Sequence, residues 1–113
     1  MKSFYAAYFT GAAGSSIGLF FIGDGIIAGV DVGGIRYDGS FKTSKKGGAL
    51  EGVVEFIMPP GATLITGISG GAQETRVPVP IHLPSNFADG QVIRIETPAG
   101  PVNVRFEKLR DLP

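Results

Sequence analysis

Apolar and polar residues alternate along this chain in short stretches, and Gly or Pro interrupts them at close intervals. Alternation with a period of two marks a strand with one buried face, whereas a surface helix repeats its apolar positions every three or four residues. The pattern predicts a first strand over Ser3 to Thr10, rich in aromatics, and a second over Ile17 to Ile22. Asp24-Gly25 then offers the positive φ angles of a tight hairpin turn into a third strand, Ile26 to Val32. Ile35, Tyr37 and Phe41 alternate with Arg36, Asp38, Ser40 and Lys42, the pattern of a fourth strand with one wet face. Leu50 to Met58 resumes the rhythm, with Val54 and Phe56 on one face and Glu51 and Glu55 on the other.

Pro59-Pro60-Gly61 forces a turn, and a further strand is expected over Leu64 to Ser69 before the Gly70-Gly71 break. Val77, Val79, Ile81 and Leu83 then alternate with Pro78, Pro80 and His82. Proline has no N–H, so proline at every second position strips one side of a strand of donors and predicts an edge. Ile93 and Ile95 oppose Val102, Val104 and Phe106 across Pro98-Ala99-Gly100-Pro101, the clearest hairpin in the chain. Pro84 to Asp89 is the one place for a helical turn, with Ser85 and Asn86 as capping side chains. The expected architecture is all-β. It is a small antiparallel barrel or strongly curled sheet of about eight strands, with at most one short helical turn, in a single domain over residues 1–113.

Composition sharpens what such a domain can do. Hydrophobic residues make up 43% and charged residues 18%, enough for a packed core. Ten Lys and Arg balance ten Asp and Glu, so the basic face that binds nucleic acid is not expected. Cys is absent, which removes disulfides, thiolate metal sites and thiol nucleophiles together. The apolar run Phe4 to Phe9 contains two tyrosines and is shorter than a typical signal-peptide core, so it reads as a strand. No run approaches the roughly 20 apolar residues of a membrane span. A soluble, cytoplasmic protein with no membrane partner is expected.

Candidate chemistry is thin. His82 is the only imidazole, with no Cys and no recognisable Ser or Asp motif beside it. Gly11-Ala12-Ala13-Gly14-Ser15-Ser16 lacks the Gly-Lys-Ser/Thr ending of a phosphate loop and leads into a strand. No catalytic residue, metal site, cofactor or enzymatic activity is therefore expected. Two features point instead to contacts. Leu19, Phe20, Phe21 and Ile22 are consecutive and apolar, so this strand carries large side chains on both faces and forms the expected interface of a homodimer. Lys42, Lys45 and Lys46 cluster in one loop with Gly47-Gly48, an expected binding site for a partner with an acidic surface. The alternative is an apolar ligand inside the barrel, with room left by Gly29, Gly39, Gly52 and Gly67.

Tyr5 and Phe9 open a stretch that continues through Gly18, a Gly-containing turn, Gly29-Val30-Asp31 and Tyr37-Asp38-Gly39. This order resembles the GrlR-like family, over about a third of the chain. The resemblance implies a small lipocalin-like β-barrel that dimerises and acts as a non-enzymatic regulator; the family's namesake is a negative regulator of type III secretion genes. The namesake holds its activator with an acidic cluster in the loop after the Tyr-x-Gly strand. Here that loop is Lys42-Thr43-Ser44-Lys45-Lys46-Gly47-Gly48, which is basic.

Overall fold

The computed structural model describes residues 2–62 and 71–113. Among these residues the chain forms β1 (Lys2–Gly11), β2 (Gly14–Gly23), β3 (Ile26–Asp31), β4 (Arg36–Thr43), β5 (Leu50–Met58), β6 (Thr75–Leu83), β7 (Asp89–Thr97) and β8 (Gly100–Asp111). They make one antiparallel sheet of 8 strands in the order β6-β5-β4-β3-β2-β1-β8-β7. The chain meanders from β1 to β6 between sequence neighbours, and β8 returns to the free side of β1. The sheet is strongly curled, and its two edge strands β6 and β7 come near each other without sharing a ladder. The all-β architecture and the strand number are as the alternation predicts. Leu64 to Ser69, expected as a strand, lies outside the described residues.

Local chemistry sets the turns. Asp24 and Gly25 take φ of 52° and 77° between the Gly23–Ile26 pair, the two left-handed residues that a two-residue hairpin turn requires. Pro84 to Asp89 forms a compact reversal in which Phe87 N–H donates to Pro84 O and Asp89 N–H to Asn86 O. β6 is an edge, as its prolines demand. Pro78 and Pro80 share one parity, so their donor-less nitrogens can all face the open side while Val77, Val79 and Ile81 serve the ladder with β5.

The concave face holds the core, and every second residue of each strand enters it. Tyr5, Ala7 and Phe9 do so from β1, Phe20 and Ile22 from β2, and Val102, Val104 and Phe106 from β8. Aromatic rings knit the strands together. Phe9 stacks on Tyr37 at 5.7 Å, Phe20 and Phe56 each approach Tyr37 at 4.9 Å, and Phe87 packs against Tyr5 at 5.1 Å. The interior glycines serve this packing. A Cβ at Gly29 would sit 2.6 Å from the Phe20 ring and 2.8 Å from Leu19 O, and one at Gly39 would sit 2.6 Å from Val53 O. A Cβ at Gly52 would collide with Ser40 O. The space above Gly29 is thus filled by a ring and the backbone across the sheet, and among the described residues an apolar cavity of about 40 Å³ lies between Phe9, Tyr37, Val54 and Ile95. Gly67 lies outside the described residues.

Candidate functional site

The four-residue apolar run divides by parity. Phe20 is 4% exposed and Ile22 0%, both in the core, while Leu19 is 48% exposed and Phe21 is half-buried on the convex face. Phe20 and Ile22 are therefore out of reach of a partner, and only Leu19 and Phe21 remain of the interface expected there. What the run did not reveal is the company these two keep. Leu19 pairs with Val30 across β2 and β3 and with Ala6 across β1 and β2, all facing outward. Ile17, Val32 and Leu109 extend the apolar surface around one depression beside Leu19, and Phe4 packs edge-on against Phe21 at 5.9 Å. Two shallow depressions share Leu19 and Val30 as their common wall.

Charges sit around this surface in pairs of opposite sign. Arg105 lies over the Tyr8 ring at 4.4 Å, and Tyr8 donates a long hydrogen bond to Glu107. Lys2 and Asp24 face each other at 3.9 Å near one end. Toward β4, Glu74 bridges Arg36 at 2.7 Å and Arg76 at 3.6 Å while Glu55 meets Arg76 at 3.6 Å, two acids against two bases that flank the buried Ile57 between the two arginines in the ladders. The outer face of β1, β2 and β3 is thus apolar in the middle and electrically neutral at its rim. Each of Ile17, Val30, Val32 and Leu109 looks like an ordinary strand residue in the sequence. Only the parity of Ile17, Leu19 and Phe21 within one strand carried a signal.

Asp31 and Tyr37, both in the stretch that carries the family resemblance, form a structural pair at one end of the sheet. Asp31 Oδ1 accepts the N–H groups of Gly33 at 2.9 Å and Ile35 at 3.1 Å, which closes the β3–β4 turn. Oδ2 accepts the Tyr37 hydroxyl at 2.8 Å. Burial, with the Asp31 carboxylate beside it, pushes the Tyr37 phenol well above its ordinary range. At the opposite end Ser3 donates to Asp111, whose carboxyl is held below its usual range by that bond and by Lys108.

Lys42, Lys45 and Lys46 are all exposed. Their loop is closed by Ser44 N–H donating to Ala49 O at 2.7 Å, and Gly47 and Gly48 both take left-handed φ. Lys42 stands opposite Glu51 in the β4–β5 ladder, but Glu51 turns to His82 Nδ1 at 3.1 Å on the next strand. No carboxylate of the described residues lies within salt-bridge distance of the three ammonium groups. His82 is exposed, on the convex face.

Among the described residues no three of His, Asp and Glu stand together as metal ligands, and no helix is long and apolar enough to cross a membrane. The chain matches no family model, no curated protein and no solved structure.

Proposed function

We propose that this chain is a non-enzymatic, protein-binding β-barrel of the regulatory kind, which self-associates through the outer face of β1, β2 and β3. The observation that carries the reading is the exposure of Leu19 and Val30, 48% and 46%, at the centre of a continuous apolar surface. Contiguous apolar patches of this kind are rare on a soluble monomer unless something covers them. A second copy is the occupant that matches the surface. A two-fold contact sets the same patch against itself, and a neutral rim of paired charges lets like patches meet without net repulsion. The resemblance to the GrlR-like regulators, which dimerise, runs in the same direction. The exposed Lys42, Lys45 and Lys46 then lie on a separate loop, free to steer an acidic partner, and a cytoplasmic location belongs to the same reading.

Among the described residues, the cavity on the concave face favours this reading over ligand carriage. Small-molecule pockets usually enclose about 300–1,000 Å³, and the cavity here is about 40 Å³. Two substitutions test the surface. Leu19→Glu places a charge at the centre of the outer face, and Val53→Glu places one on β5, where Val53 is equally exposed. The first should reduce the mass in solution to that of one chain and the second should leave it unchanged. Equal behaviour of the two variants would count against the assigned surface.

A further inference from the structure

We infer that His82 completes the basic corner begun by Lys42, Lys45 and Lys46, and that this corner holds a short acidic segment of another protein more tightly when His82 is protonated. This rests on the reading that the lysine loop takes an acidic partner, and adds the group that sets the strength of that contact. The ladders place the residues. Lys42 stands opposite Glu51 across β4 and β5, and Glu51 stands opposite His82 across β5 and β6. All three are exposed. Two strand spacings, about 10 Å, separate Lys42 from His82. Lys45 and Lys46 lie past the end of the same ladder, in a loop that rests on the β6–β7 turn, where a Cβ at Gly48 would sit 3.5 Å from Ser85 Cβ.

Glu51 decides how much charge the corner presents. It has a basic neighbour on either side, and its Oε1 lies 3.1 Å from His82 Nδ1, while among the described residues Lys42 has no carboxylate within salt-bridge distance. Histidine ordinarily changes charge between about pH 5 and 8, and His82 is the only imidazole in the chain. Gaining a proton adds one positive charge and holds Glu51 away from Lys42. Losing it leaves Glu51 to be shared with Lys42, so an acidic segment meets the larger charge below the histidine range. Around His82, Pro80 precedes it on its own face of β6, residues 84–88 of the turn carry no charge, and Asp89 of β7 lies outside salt-bridge distance.

The same accounting selects the occupant. All the Asp and Glu side chains except Asp38 and Asp89 already meet a cation, a hydroxyl or a backbone N–H within the chain. Those two stand on β4 and β7, which share no ladder, so a second copy offers no acidic surface to this corner. The exposed Val53 and Pro80 follow Glu51 and His82 on the same face, which ends the charged surface after a few groups. That fits a short run of carboxylates better than the longer track of a nucleic-acid backbone. Residues 63–70 spring from the other end of β5, where Gly61 N–H donates to Gly71 O. Met58, the last residue of β5, is about 23 Å along the strand from Glu51. Eight residues that go out and return reach about 16 Å at most, which leaves this corner beyond them.

The test titrates N-acetylated Gly-Asp-Asp-Asp-Asp-Gly amide into the full chain at pH 5.5 and 7.5 and low ionic strength, following the amides of residues 42–46 and the ring of His82. The dissociation constant should be about threefold lower at pH 5.5. His82→Gln should bind alike at both pH values, and Glu51→Gln should bind about threefold more tightly than the wild type at pH 7.5. Because coupling is reciprocal, saturating peptide should move the midpoint of the His82 ring titration to higher pH. That readout uses the unmodified chain, so a folding defect in a variant leaves the result legible. Equal wild-type affinity at the two pH values, the same pH dependence in His82→Gln, or an unmoved ring titration would overturn the role of His82 and leave the acidic-partner reading standing. No shift at residues 42–46 at either pH would overturn both. Hexathymidylate moving the same amides at lower concentration than the peptide would assign the corner to nucleic acid and show the named occupant to be wrong.

Discussion

Asp31 accepts the buried hydroxyl of Tyr37 at 2.8 Å while its other oxygen holds the two backbone N–H groups of the β3–β4 turn. One carboxylate thus ties the packing of the aromatic core to the geometry of a turn, since Tyr37 touches Phe9, Phe20 and Phe56. Tyr37→Phe removes one charge-assisted bond and should lower stability by about 1.5–3 kcal/mol. Asp31→Ala leaves the phenol and two amides without their acceptor and should cost more. In a double-mutant cycle by urea unfolding the two changes should couple rather than add.

The same pair makes stability depend on alkaline pH. The ordinary phenol value is 10.0, and the folded Tyr37 lies well above it. A proton held more tightly by the folded chain contributes stability that is complete below the unfolded value and is lost as pH rises past it. The slope is about 1.4 kcal/mol per pH unit from one group. Unfolding free energies measured between about pH 9 and 11 should fall more steeply for the wild type than for Tyr37→Phe. Parallel curves would mean that the phenol titrates in its ordinary range.

Gly29 has an extended conformation, so its requirement comes from contact and not from φ. Adding a methyl group there drives it into the Phe20 ring and Leu19 O. Overpacking of this kind typically costs about 1–3 kcal/mol. Gly29→Ala should therefore destabilise by that amount in thermal or urea unfolding, whereas Gly71→Ala, with open space around it, should change little. Similar losses at both positions would show that the ring does not rest on Gly29.

Much of this architecture is written in the sequence because it depends on neighbours in the chain. Asp24-Gly25 fixes a hairpin by local conformation, and Pro78 and Pro80 mark an edge by the donors they lack. The run from Leu19 to Ile22 shows why the surface was only half legible. Period two says that such residues part to opposite faces, but not which face is inside. That is decided by Gly29, across the ladder from Phe20, which gives the ring a place to lie. The interior glycines were legible as missing side chains, and what fills the space was not. The Ser3–Asp111 bond, which ties the first strand to the last, depends on β8 returning to pair with β1, which no local pattern carries.

The small cavity among the described residues has its own consequence. A saturated fatty acid or a naphthalene dye should shift the melting temperature by no more than about 1 °C at saturating concentration, because a ligand excluded from the folded state confers no linkage stabilisation. A rise of several degrees, with displacement of the dye by the acid, would show that the core opens to admit a guest.

The outer face of β1, β2 and β3 is tested most directly by the mass of the unmodified chain in solution. Static light scattering at micromolar concentration should give a value near twice the 11.8 kDa of one chain. A single species at 11.8 kDa throughout the concentration range would contradict the assignment of that face to a second copy.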